Sequence, residues 1–211
     1  HRSAAVLGYR GLDDVVRRTR LTFDPPPDRL EPAVAKFDVA LDRHEVATIT
    51  VVVSCEIEDG RRAAVVLPYE TAAVEAARVT ERPPAACRVT TSNERFNAWL
   101  ARSYADVRMM VSDTPYGPYP YAGVPWFSTA FGRDGIITAR ELLWVDPQLA
   151  RGVLSYLAAT QAAAVDEARD AEPGKILHET RRGEMAALGE VPFGLYYGSV
   201  DATPLFLMLA G

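Results

Sequence analysis

The apolar residues of this chain change period once, and that change limits the possible folds more than any other feature. Ala47, Ile49, Val51, Val53, Cys55 and Ile57 alternate with Thr48, Thr50, Val52, Ser54 and Glu56. Phe37, Val39 and Leu41 repeat the alternation between Lys36, Asp38 and Asp42. A period of two predicts β-strands with one apolar face. Asp24-Pro25-Pro26-Pro27-Asp28 is a stiff break between strands, and Asp59-Gly60 is a turn signal. After Pro68 the period becomes helical. Residues 69–80 predict a short helix, broken by Pro83-Pro84. Thr91-Ser92-Asn93-Glu94 reads as a capping box, with Thr91 as N-cap. Phe96, Trp99, Leu100, Tyr104, Val107 and Val111 then recur at helical spacing and are expected to face a core. Further helices are expected from about Asp134 to Val145, from Asp146-Pro147 to about Ala168, and from Thr203-Pro204 onward. Leu149, Val153, Leu157 and Gln161 mark one line of the third.

Fold class follows as β then all-α. Residues 1–68 are expected to form the C-terminal part of a β-sandwich, with partner strands preceding His1, because two or three strands with one apolar face do not close a sandwich. Residues 69–90 form a linker with a short helix, and residues 91–211 the first part of a helical domain. Two long segments, 112–133 and 170–202, hold aromatics and carboxylates before helix starts. Loops of that length in a compact domain are usually functional. Helices alternating with such loops suggest an α/α toroid whose site is built at one end.

Charge and cysteine usage narrow the function classes. The formal net charge is −5 and no Lys/Arg run exceeds two residues, against the basic face a nucleic-acid binder needs. No apolar stretch approaches the roughly 20 residues of a membrane span, and no signal-peptide pattern follows His1. Cys55 and Cys87 make one possible bridge rather than a framework, so they are read as reduced thiols and the chain as cytoplasmic. His1, His44 and His178 lack ligand spacing, so neither a metal nor another cofactor is expected.

Four ordered blocks carry a family resemblance. They are Ala122-Gly-Val-Pro-Trp-Phe-Ser-Thr-Ala-Phe-Gly-Arg-Asp134 with Gly135-Ile-Ile-Thr-Ala139, then Asp146-Pro147, then Ala171-Glu-Pro-Gly-Lys-Ile-Leu-His-Glu179 with Arg182-Gly-Glu184, and Tyr196-Tyr-Gly-Ser-Val-Asp-Ala-Thr-Pro-Leu-Phe206. Upstream, Tyr9-Arg-Gly-Leu12, Arg17-Arg18 and Phe23-Asp-Pro-Pro-Pro27 add weaker support. Together they resemble the bacterial amylo-α-1,6-glucosidase (glycogen debranching) family of six-hairpin glycosidases. The resemblance implies an (α/α)6 barrel behind an N-terminal β-sandwich, of which this chain holds the first helices. It also implies a Trp-Lys-Asp-Ser-like segment with the general acid and a later general-base Glu. Neither occurs in these residues. No catalytic residue is therefore assigned here; the acid and base are expected beyond Gly211, and the chain alone is expected to be inactive.

Glycoside cleavage uses one protonated and one ionised carboxyl, while other carboxylates accept charge-assisted hydrogen bonds from sugar hydroxyls. By resemblance, Asp134 and Asp201 look like ligands of a glucose unit. Each stands at a helix start, so a capping role stays open for both. Arg133 pairs with Asp134 or contacts a hydroxyl. Trp126 and Phe127 offer flat apolar faces. Glu179 and Glu184 flank Arg181 and Arg182 as substrate contacts or as an ordinary solvated charge cluster, and Tyr197, like Tyr196, stacks on sugar or packs. The expected partner is an α-glucan or oligosaccharide, with no nucleic acid and no membrane. Self-association, or a longer chain, is expected to cover the open barrel. Two alternatives remain: a non-catalytic carbohydrate-binding or scaffold module, and another six-hairpin glycosidase of trehalase or mannosylglycerate hydrolase type, since fold does not decide substrate.

Overall fold

The computed structural model describes residues 3–58, 67–81, 87 and 89–211. The Asp59-Gly60 turn and the Pro83-Pro84 break lie outside them. Two compact units are present, His1–Ala76 and Ala77–Gly211.

The first unit is β-rich. Strands β1 (Ala4–Arg10), β2 (Val16–Asp24) and β5 (Thr50–Ile57) form an antiparallel sheet in the order β1-β2-β5. Leu21 lies opposite both Ala5 and Val53, and Thr19 opposite Leu7 and Cys55, so these residues share a face. Period two in β5 is as expected, but the apolar face is the open one. Leu7 is 53%, Val53 59% and Ile57 51% exposed, whereas Ser54 on the other face is buried. Phe23 at the end of the apolar face is buried, with an edge-to-face contact to Phe37 at 6.0 Å. Cross-strand ion pairs hold the mixed face, Arg20 to Glu56 and Arg18 to Glu58, each at 3.1 Å.

The strand expected over Phe37, Val39 and Leu41 does not form. Strands β3 (Arg29–Leu30) and β4 (Ala35–Lys36) make only a short ladder. The Asp38 N–H donates instead to Asp28 Oδ2 at 2.8 Å, which takes that backbone group out of any sheet. Helix α1 (Tyr69–Glu81) matches the expected segment.

In the second unit, α2 (Glu94–Met110) departs from expectation twice. Its N-cap is Asn93, whose Oδ1 accepts from the N–H groups of Arg95 and Phe96. Thr91 lies outside the helix, its hydroxyl donating to Asn97 Oδ1 at 2.9 Å, so the Thr91 capping box is not made. Nor does the apolar stripe face a core. No residue of α2 is buried, and at the N-terminal end of the stripe Phe96 is 41% and Trp99 62% exposed.

Strands β6 (Val111–Thr114) and β7 (Gly117–Pro120) form a hairpin where the sequence reads as irregular. Helices α3 (Gly132–Glu141) and α4 (Pro147–Ala159) are joined through residues 142–146 and pack together. Leu149, Val153 and Leu157 are buried along one line of α4, as expected. That helix stops well before Ala168. Thr160 Oγ1 folds back on the Tyr156 carbonyl, and the Ala162 N–H leaves the helical ladder for the carbonyl of Lys175. A short α5 (Glu184–Ala187) and a last helix α6 (Ala202–Ala210) follow. The core gathers Tyr119, Ile136, Val153, Leu157, Ile176 and Leu177 between the hairpin, α3, α4 and α6. Among the described residues no helix is long and apolar enough to cross a membrane.

Candidate functional site

Helices α3 and α6 begin side by side, and two close approaches hold them there. A Cβ on Gly132 would collide with the Leu177 carbonyl and meet the Ala202 side chain, so only glycine lets the first turn of α3 sit against this backbone. The Gly132 N–H donates to the His178 carbonyl at 2.8 Å. Behind it, Tyr119 is fully buried and its hydroxyl donates to the Phe131 carbonyl at 2.9 Å, over Gly135, whose missing side chain leaves room for the ring. Burial pushes the Tyr119 phenol well above its ordinary range.

This frame brings Arg133, Asp134 and Asp201 together. Arg133 Nη1 donates to Asp201 Oδ2 at 3.1 Å, although the two are 68 positions apart. Its Nε lies 3.9 Å from Asp134 Oδ1. All three side chains are between 37% and 46% exposed. The second oxygen of Asp201, Oδ1, accepts from the Ser199 hydroxyl. That bond, with the Arg133 guanidinium, holds the Asp201 carboxyl below its ordinary range. Neither aspartate carboxylate makes a capping hydrogen bond. Phe131 is the N-cap of α3 and contributes no side-chain bond, and Asp201 occupies the N-cap position of α6 without using its carboxylate there. A hydrogen-bonded cap is therefore not what these carboxylates make, while Asp134 keeps the first-turn position that favours an acidic side chain.

A second group lies along the segment beside α3. Phe131, Glu179 and Tyr196 are joined by successive backbone bridges. Glu179 is buried and its Oε2 accepts from Arg181 Nη2 at 3.3 Å. The Arg181 guanidinium sits 3.8 Å from the Phe127 ring centroid and 4.2 Å from that of Phe193. This pair is packed rather than solvated, which corrects the surface-cluster alternative for Glu179 and Arg181. Phe127, Thr129, Arg181, Arg182, Glu184 and Met185 line a cleft of about 540 Å³. Glu184 opens α5 at its edge.

The remaining aromatics separate. Trp126 stands 83% exposed at the tip of a loop closed by the Ala122–Thr129 bridge. Tyr197 is buried, its hydroxyl donating to the Thr160 carbonyl at 2.8 Å, so its ring packs in the core. Tyr196 donates to Asp170 Oδ2 at 2.6 Å. His178 places its ring edge-to-face with Phe131 and Tyr196, and its buried Nδ1 has no partner among the described residues. Sequence reasoning missed Ser199 as a working residue. A Ser two positions before an Asp at a helix start was the available signal. Among the described residues no group of three or more His, Cys, Asp or Glu is placed to hold a metal ion. Cys55 and Cys87 are free thiols.

No curated protein matches the chain. Residues 1–52 match the family model described as the N-terminal domain of (some) glycogen debranching enzymes, and the β-rich start of the chain is similar to that domain.

Proposed function

We propose that the chain supplies the sugar-holding side of a glycoside hydrolase of glycogen-debranching type, acting on an α-glucan, with α2 to α6 as the first helices of an (α/α)6 toroid. One observation carries this reading: Arg133, Asp134 and Asp201 converge at two adjacent helix starts, in a chain whose first residues match a debranching-enzyme domain. An ionised carboxylate accepts from vicinal hydroxyls, a guanidinium donates to a ring or glycosidic oxygen, and an indole covers a pyranose face.

The ionised state of Asp201 suits pairing with Arg133, not protonating a leaving oxygen. An acid needs a carboxyl raised toward neutrality, and Asp201 is moved the other way. The general acid and base are left to other segments, which the family resemblance puts after Gly211. Contacts to hydroxyls of this kind strengthen as the ring flattens toward an oxocarbenium ion, so they favour the transition state over the ground state.

Affinity electrophoresis of the 211-residue chain through gels containing glycogen tests the reading. Retardation is expected, and Asp134→Asn is expected to weaken it about ten- to a hundred-fold, the loss of one charge-assisted bond. Free migration of the unmodified chain at every glycogen concentration would remove the proposal.

A further inference from the structure

We propose that Ser199 and Asp201 act together to position Arg133, and that Arg133 and Asp134, rather than Asp201, are the groups presented to a bound sugar. The inference rests on the α-glucan reading for the identity of the ligand and on geometry for everything else. Both oxygens of Asp201 are engaged, Oδ1 by the Ser199 hydroxyl and Oδ2 by Arg133 Nη1. Arg133 keeps Nη2 and Nε without a hydrogen-bond acceptor among the described residues, with half of its side chain open to solvent. The Asp134 carboxylate accepts no hydrogen bond there either, and its only ion-pair contact is the 3.9 Å approach of Arg133 Nε.

Ser199 explains why Asp201 is free to turn toward α3. An aspartate at an N-cap ordinarily spends its carboxylate on the first N–H groups of its own helix. Here the Ser199 oxygen accepts from the Ala202 N–H at 3.3 Å, satisfying the first N–H of α6 without the Asp201 carboxylate. The same hydroxyl donates its proton to Asp201 Oδ1. Its backbone is in turn fixed, the Ser199 N–H donating to the Tyr197 carbonyl at 2.7 Å, and Tyr197 is a core residue. A chain of contacts therefore runs from the core through Ser199 and Asp201 to the guanidinium. The charged group in contact with Asp201 is Arg133 on α3, whose Nε in turn approaches Asp134; the segment Ile176–His178 meets the α6 start through the Ile176 N–H to Thr203 Oγ1 bond at 3.1 Å. The direction of the Asp201 shift agrees, with the Ser199 bond as its largest cause and Arg133 next.

The test follows Asp201 by carbon NMR of labelled aspartate carboxyls in the 211-residue chain, alongside migration in glycogen gels. Ser199→Ala should raise the Asp201 titration midpoint toward the ordinary 3.8, and Ser199→Thr should restore it. Glycogen affinity should fall about two- to tenfold in Ser199→Ala, the worth of one hydrogen bond, and recover in Ser199→Thr. Asp201→Asn, which keeps an oxygen for Arg133, should cost less affinity than Asp134→Asn. An unmoved Asp201 midpoint in folded Ser199→Ala overturns the positioning role, and so does a larger loss from Asp201→Asn than from Asp134→Asn. A midpoint that shifts as expected in a chain that no glycogen gel retards upholds the Ser199–Asp201–Arg133 coupling and removes the α-glucan reading instead.

Discussion

Replacing Tyr119 by Phe removes one hydroxyl from the floor of the site and makes a quantitative test of how α3 is held. The hydroxyl is buried and donates to the Phe131 carbonyl at 2.9 Å. That carbonyl also accepts from the Gly135 N–H at 3.0 Å, so it keeps a partner when the phenol is lost. The penalty is then the net worth of a hydrogen bond, about 1 kcal/mol, and not the larger cost of an orphaned acceptor. Melting temperature should fall by about 2–4 °C at neutral pH. Alkaline pH should reverse the order. Burial raises the Tyr119 phenol above its ordinary 10.0, so its contribution is complete below that value and is lost as pH rises beyond it, when the unfolded chain ionises and the folded one does not. The loss steepens to about 1.4 kcal/mol per pH unit. A contribution of about 1 kcal/mol is cancelled within roughly one unit above pH 10, and the variant should be the more stable protein beyond that point. Tyr156 and Tyr197, raised in the same direction by burial, are present in both proteins and cancel. Urea unfolding of the two proteins from pH 7 to 11 reads this directly. A stability gap that does not change with pH, or a neutral-pH loss of about 3 kcal/mol or more, contradicts the two-donor picture of the Phe131 carbonyl.

Three more outcomes follow from named contacts. Gly132→Ala drives a methyl into the Leu177 carbonyl and should separate the α3 and α6 starts, costing about 1–3 kcal/mol and the glycogen affinity together; an affinity unaffected by the change would show that the two helix starts need not touch. Arg181→Leu leaves Glu179 buried without its partner and should destabilise by about 3 kcal/mol in thermal unfolding, whereas a loss below about 0.5 kcal/mol would mark that pair as a surface feature. The open sheet face of Leu7, Val53 and Ile57 and the Phe96–Trp99 stripe should make the isolated chain self-associate in sedimentation velocity, and a clean monomer at micromolar concentration would contradict it.

Some of this molecule is local and some is not. The change of period separates strands from helices because side-chain direction repeats every two residues in one and every 3.6 in the other, and no tertiary information is needed to see it. For the same reason the buried line Leu149, Val153, Leu157 was readable. Arg133 and Asp134 were visible as a pair because they are adjacent. Which face of a pattern is covered is another matter. Period two in β5 and helical spacing in α2 name an apolar face, but covering it takes a neighbour, and Val53 and Trp99 stay more than half exposed. The fate of Phe37–Leu41 was likewise decided by Asp28, ten positions before the N–H it captures. In the site, Glu179 and Arg181 read equally as substrate contacts or as a solvated cluster, and only the Phe127 and Phe193 rings against the guanidinium set the solvated reading aside. Asp201 read as a cap or a ligand. Its pairing with Arg133, and the role this leaves to Ser199, depend on two helix starts meeting across 68 positions of chain, and that meeting is set by the bare backbone of Gly132 against Leu177. Local patterns determine which groups exist and how they repeat; only packing determines which of them meet, because a contact between distant segments depends on every element that lies between them.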